Sequence, residues 1–360
     1  MKVTKANFIA VMSCAVLLAC SEDDEPAIAP AEGWELASPS SQNIEDLSGL
    51  DAKASALARL TSVAVVRNGK LVYHSYHNGY KQDSLHDVRS VTKSVVGLLV
   101  GRALEEGAIG SIDDPIDIYL PDSEFSLTDE QKQITIHHLM NMSGGFQWNE
   151  TNGNAYNEWV LSENPMQFLL DKPIVNIPGS TYNYNSAAVH LLGVVLANVT
   201  GVSLKDYAQS TLFDEIDVQQ AEWESIDETY FNGGSGIRLR TVDMARIGQL
   251  ILDGGMHSGA SVSPSEWVNF LTSPSYSWTL DYGFFHDYTY GNLFWVHEYE
   301  GETNYLAWGY GGQFIYISPP KNLVIVTTTN WIALSEIGGP GVSEQQAFDL
   351  ILNYILPRVK

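Results

Sequence analysis

Hydrophobic and polar positions recur with different periods along the chain, and the changes of period divide it into elements. Residues 43–60 set Ile44, Leu47, Leu50, Ala54, Leu57 and Leu60 at helical spacing, which predicts an amphipathic helix. Residues 62–66 and 71–76 are β-rich runs around Asn68-Gly69, a dipeptide suited to a two-residue hairpin turn. His74 and His77 are expected on opposite sides of the second strand, at its surface. From 86 to 107 a polar approach leads into Val95, Val96, Leu98, Leu99, Val100, Ala103 and Leu104, and Gly107 closes the run. Apolar residues on nearly every face predict a helix buried all round. Gly97 and Gly101 are expected to admit a second backbone, and Gly107 to end the helix in a left-handed turn.

Short helices are expected at 135–142 and 165–170, and a long apolar one at 187–199 stopped by Thr200-Gly201. Two more, at 203–213 and 241–253, flank Gly233-Gly234-Ser235-Gly236. Strand patterning then takes over at 290–296, 314–317 and 323–328, with turns at Gly311-Gly312 and Pro319-Pro320. A last helix at 342–356 opens on a Ser343-x-x-Gln346 capping box. Strands at both ends and helices between them imply an α+β class. An antiparallel sheet flanked by N- and C-terminal helices would carry an inserted all-helical domain.

The first residues change the picture of where this domain resides. Lys2 and Lys5 precede an apolar core at 8–19 that ends in Leu17-Leu18-Ala19-Cys20, too short for a membrane span and shaped like a secretory signal. Residues 1–20 are similar to a bacterial lipoprotein signal, which implies lipidation of Cys20. The expected division is 1–20 signal, 21–42 acidic flexible tether and 43–360 catalytic-type domain. The two cysteines are Cys14 and Cys20, so the mature domain has no disulfide, thiolate metal site or thiol nucleophile. A formal charge of −24 repels nucleic acid and anionic headgroups, and argues against both as partners. Membrane attachment would come through the lipid, with the protein exported to the cell envelope.

Candidate chemistry sits at the mouth of the central helix. Ser90 alone would read as a helix cap. Lys93, however, stands in the first turn, where the helix dipole disfavours a cation, and buried residues follow at once. Desolvation would lower its pKa, and a neutral lysine one turn from a serine can accept the hydroxyl proton. A second Ser-x-x-Lys, Ser318-Pro319-Pro320-Lys321, lies in a proline turn where no helix can pair the two side chains. No H-E-x-x-H zinc motif, phosphate loop or dinucleotide fingerprint is present, so neither metal nor cofactor is expected.

Ser90-Val91-Thr92-Lys93-Ser94 with GRALEEGAIGSIDDPIDIYLPD, HLMNMSGGFQW (138–148), PGSTYNYNSAAVHLLGVVLANVTG (178–201), GGSGIRLRTVDMARIGQLILDGG (233–255) and the segment 290–319 resemble, in order, the serine β-lactamase-like family. The resemblance covers roughly residues 45–356 and implies a β-lactamase/transpeptidase-like fold. It lies in the branch of class C enzymes, D-alanyl-D-alanine carboxypeptidases, esterases and 6-aminohexanoate-oligomer hydrolases. It implies Ser90 as nucleophile, Lys93 and Tyr184 as acid and base, and Ser186 as a polar substrate contact where the family's Tyr-x-Asn motif usually has asparagine. The family's third motif falls on Ala307-Trp308-Gly309 running into Gly311, so Trp308, Gly309 and Gly311 are expected to line the substrate strand and to offer the oxyanion a backbone N–H. No cation is expected there, which argues against a carboxylate-bearing β-lactam as the preferred substrate. The implied activity is hydrolysis of a small or peptide-like ester or amide through an acyl-enzyme. The alternative is a non-catalytic penicillin-binding-like sensing or binding lipoprotein of the same fold.

Overall fold

Strand β1 (Leu60–Arg67) shows how the sheet is buried on both faces. Its Ala64 and Val66 belong to one apolar cluster, Val63 and Val65 to another, and all four are inaccessible. Alternation of side chains along a strand sends them to opposite faces, so a run of β-branched residues here has a core on each side. The computed structural model describes residues 30–31, 33–121, 123–227, 229–282, 285–332 and 340–360. The signal, Cys20 and the tether to residue 29 lie outside the described residues.

A single turn of helix, α1 (Leu50–Ser55), precedes β1, and β2 (Lys70–Tyr76) follows it through the expected Asn68-Gly69 turn. The strand β3 (His86–Asp87) leads to α2 (Val91–Glu105). Helices α3 (Ile136–Met140), α4 (Ala155–Val160), α5 (Pro165–Leu170), α6 (Ser186–Thr200) and α7 (Leu204–Ala208) come next. The strands β4 (Ala221–Trp223) and β5 (Ile237–Leu239) then precede α8 (Thr241–Leu252). A small hairpin, β6 (Met256–His257) and β7 (Ala260–Ser261), leads to α9 (Ser265–Thr272). The carboxy-terminal part supplies β8 (Leu280–Tyr282), β9 (Phe285–Tyr290), β10 (Trp295–Tyr299), β11 (Glu302–Gly309), β12 (Gln313–Ser318), β13 (Leu323–Thr329) and α10 (Pro340–Leu350).

Eight strands form the main sheet in the order β2-β1-β13-β12-β11-β10-β9-β8, so the amino-terminal hairpin docks beside the last strand and both chain ends build one sheet. The pairs are antiparallel throughout. One face is covered by α2, α6 and α8, the other by α1 and α10. The fold is the expected α+β arrangement.

Several expectations need correction. The helix expected over 43–60 is confined to α1, because Ile44 forms a β-bridge with Val359 and Leu60 begins the first strand. The stretch expected as free tether is docked from Trp34: its indole donates to the Val242 carbonyl at 3.2 Å, and Leu36 bridges Leu71. The inserted region is not all helical, since β3, β5 and β4 make a small sheet within it. The strand expected over 290–296 is two strands, divided by a turn at 291–294. Gly97 and Gly101 face side chains rather than a backbone: a Cβ on Gly101 would lie 2.2 Å from the Trp267 ring. Ser343 lies inside α10 and opens nothing. His77 is buried beyond the end of β2, bonded to Ser55 and Ser75.

Candidate active site

The helix α2 places Ser90 at its N-cap and Lys93 one turn on. Ser90 has helical dihedrals and its side chain makes no capping bond, so its hydroxyl is free for something other than the backbone. Lys93 Nζ lies 2.8 Å from Ser90 Oγ, 2.8 Å from Ser186 Oγ and 2.6 Å from the Gly234 carbonyl oxygen. Only 1% of Lys93 is exposed. Burial pulls its pKa from 10.5 down to about 7; Glu150 nearby favours the charged form and Arg89 opposes it.

Three segments converge on the mouth of α2, and each has a local reason to do so. Asn185 caps α6, its Oδ1 accepting the Ala188 N–H at 3.0 Å, which sets Ser186 as the first helical residue and aims Tyr184 back at α2. The Gly-rich loop 233–236 passes so close to α6 that a Cβ on Gly234 would stand 2.4 Å from the Ser186 carbonyl oxygen. Glycine is required for that approach. Thr92 Oγ1 in turn accepts the Gly236 and Ile237 N–H groups at 3.1 and 3.2 Å, which ties the loop to α2.

Tyr184 completes the group. Its ring stands over the amine, with Lys93 Nζ 4.9 Å from the ring centre. Burial, reinforced by the Glu150 charge, raises its pKa, so the phenol keeps its proton and suits the acid role better than the base. The ring stacks on Trp295 at 6.1 Å, and Tyr290 fills the angle between them, 4.6 Å from Trp295. Tyr182, Tyr276 and Trp278 extend the aromatic wall.

The third segment is the end of β11. The neighbouring β10 pairs with β11 only as far as Leu306, so the edge from Ala307 to Gly309 is open on that side. A Cβ on Gly309 would lie 2.2 Å from the Val88 carbonyl oxygen, just before Ser90; the strand end and the helix mouth abut.

Not every residue expected here faces the cleft. Ser186 is fully buried and spends its hydroxyl on Lys93 and Glu150, so it is an internal link and not a substrate contact. Trp308 turns to the opposite face of the sheet, packing on Phe314. Gly311 has φ 86° in the turn and donates its N–H to Glu344 Oε1 at 2.8 Å, so that group is already used. The cleft also holds a cation where none was expected. Arg89, with a left-handed φ of 50°, stands immediately before Ser90, its guanidinium 4.3 Å from the Trp331 ring centre and 5.2 Å from that of Tyr156.

Sequence reasoning missed Glu150, which accepts from the Ser186 N–H at 2.8 Å, the Ser186 hydroxyl at 2.5 Å and the Trp148 indole at 3.0 Å. It also missed Arg89 and the Trp295 wall.

With this geometry in place, comparison with known proteins decides the family. The Beta-lactamase family model matches residues 54–333. The chain belongs to the beta-lactamase family. It is a serine hydrolase of that family. The chain is similar to the 6-aminohexanoate-dimer hydrolase of Paenarthrobacter ureafaciens, with 26% identity over 289 residues, 74% of this chain and 71% of that protein. It is also similar to esterase EstB of Burkholderia gladioli, with 30% identity over 166 residues, 40% of this chain and 42% of the relative. Among solved structures, the octameric penicillin-binding protein homologue from Pyrococcus abyssi superposes with a TM-score of 0.67 at 18% identity, covering 86% of this chain and 78% of that one. At that identity the likeness establishes the fold.

Proposed function

We propose that this beta-lactamase family member hydrolyses a small or peptide-like ester or amide through an acyl-enzyme on Ser90. The observation that carries this reading is the buried amine of Lys93 at 2.8 Å from Ser90 Oγ. Neutral Lys93 takes the Ser90 proton as the oxygen attacks the carbonyl carbon. Tyr184, held protonated by burial, hands its proton to the leaving group and recovers one from the Lys93 ammonium beside its ring. The Ser90 N–H at the helix start and the Tyr310 N–H, next after Gly309 on the open edge of β11, are the donors for the oxyanion. Water then releases the acyl group.

The relatives' names support an amide or an ester as the bond: one acts on 6-aminohexanoate dimer and another is named an esterase. An aromatic wall beside Tyr184 suits an apolar acyl or leaving group. We place the protein at the cell envelope, exported and lipid-anchored through Cys20, on the strength of residues 1–20. The test is a screen of the soluble domain against p-nitrophenyl esters, linear amides, D-Ala peptides and a chromogenic cephalosporin, alongside Ser90→Ala. Turnover of one class that is lost in the variant is expected. Inactivity on all, with no labelling of Ser90 by a phosphonate, would refute the reading.

A further inference from the structure

We propose that Glu150 is a positioning residue that, through Ser186, turns the lone pair of Lys93 onto Ser90. The proposal rests on the reading of Ser90 as nucleophile and Lys93 as its base.

Glu150 Oε2 accepts the Ser186 and Trp148 N–H groups at 2.8 and 3.0 Å, and Oε1 accepts the Ser186 hydroxyl at 2.5 Å. The Ser186 proton is therefore spent on the carboxylate. What its oxygen presents to Lys93, 2.8 Å away, is a lone pair. A neutral lysine amine has two N–H bonds and one lone pair. The Gly234 carbonyl at 2.6 Å can only accept, and Ser186 Oγ, with its proton committed, is also an acceptor. Both N–H bonds are thus assigned. The lone pair falls to the third neighbour, Ser90 Oγ at 2.8 Å, which is the group it must deprotonate.

After transfer the ammonium has three N–H bonds for the same three oxygens, and the Glu150 charge lies one hydroxyl away. Around Lys93, Glu150 favours the ammonium and Arg89 disfavours it, while the Tyr184 ring lies 4.9 Å from the amine as a protonated phenol. The family's usual asparagine would offer the amine a fixed carbonyl directly. Serine at 186 has a hydroxyl that can rotate, and Glu150 removes that freedom.

Glu150→Gln keeps the shape but brings an amide that can donate to Ser186 Oγ. The Ser186 hydroxyl is then free to turn onto the Lys93 lone pair and compete with Ser90. The measurement is the second-order rate of Ser90 labelling by a fluorophosphonate between pH 5 and 10. It is made on the wild type, Ser90→Ala, Glu150→Gln, Ser186→Ala and the double variant of Glu150 and Ser186, with thermal melts to confirm folding. Glu150→Gln is expected to slow labelling about 100-fold and to move the acidic limb to lower pH, because the amine loses a favourable anion. The double variant is expected to be no slower than Glu150→Gln, since the misdirecting hydroxyl is gone. A wild-type rate and limb in Glu150→Gln, or losses that multiply in the double variant, would overturn the proposal. Should Glu150→Gln fail to fold, slower labelling in Ser186→Ala supports the link and an unchanged rate sinks it. Labelling that persists in Ser90→Ala would instead defeat the nucleophile assignment, so the two failures are distinguishable.

Discussion

Lys93 Nζ and Ser90 Oγ stand 2.8 Å apart at the start of one helix, and the lysine has almost no contact with solvent. Desolvation holds its pKa at about 7, so the amine is largely neutral under mildly alkaline conditions. A base must be unprotonated to act. kcat/KM for a neutral ester is therefore expected to rise with pH through about 7 and to level above it. A limb near the ordinary lysine value of 10.5 would show that the amine is not the base.

Ser90→Ala removes the attacking oxygen and little else. Since the side chain makes no capping bond, less than the usual ~1 kcal/mol of a lost cap is at stake. Ester hydrolysis should vanish while the melting temperature stays within a degree or two, on the order expected for so small a change. Residual turnover at wild-type level would dismiss Ser90 as the nucleophile.

Tyr184→Phe keeps the ring against Trp295 and Tyr290 but loses the phenolic proton. Turnover of an alkyl ester or amide should drop roughly 10²–10⁴-fold, the worth of an acid–base group. A p-nitrophenyl ester, whose leaving group needs no proton, should lose less. Equal losses on both would assign Tyr184 to packing or to the Ser90 proton, not to the leaving group.

These residues were legible for a physical reason. The helices α2 and α6 bury apolar residues on every turn, so their extents and glycine stops follow from the sequence. Gly201, for example, ends α6 with φ 70°. Pro165 begins α5 and Leu170 ends it, because proline fits the first helical position. Glu150 was not legible: it is one acid in a polar loop, and its partner Ser186 lies 36 residues on. The turn at 291–294 was hidden because Leu293 and Phe294 are buried and continue the apolar run across it. The packing of Gly309 against the Val88 carbonyl was not legible, because it joins a strand end to a loop more than 200 residues earlier. The use of the Gly311 N–H likewise depended on Glu344, a helical residue from the other face of the sheet.

Gly309→Ala tests that close approach. Its added Cβ would stand 2.2 Å from the Val88 carbonyl oxygen, a backbone atom that cannot swing aside, and 2.8 Å from Gln313 Cβ. The end of β11 must move off the loop that carries Ser90. Loss of acylation by 100-fold or so is expected, as for removal of an oxyanion donor, and a comparable loss of labelling by the phosphonate should accompany it. A fully active variant would mean that the strand end is not part of the cleft.

Glu344 ties stability to pH at the same strand end. It is 4% exposed on α10 and accepts the Gly311 N–H. Burial raises its pKa from 4.5 to about 7, only partly countered by the Gly311 hydrogen bond. The folded protein therefore holds a proton that the unfolded chain has released between those values. The carboxyl's contribution to stability is full below 4.5 and declines as pH rises through about 7. Glu344→Gln supplies a neutral group of the same shape whose oxygen can accept the Gly311 N–H. It should nearly match the wild type at pH 5 and be more stable at pH 8, by on the order of 2 kcal/mol for a shift of this size. Urea denaturation at the two pH values measures the difference. Parallel pH dependence in the two proteins would show that the carboxylate is not held in a desolvated site beneath the turn, and would remove the reason for its raised pKa.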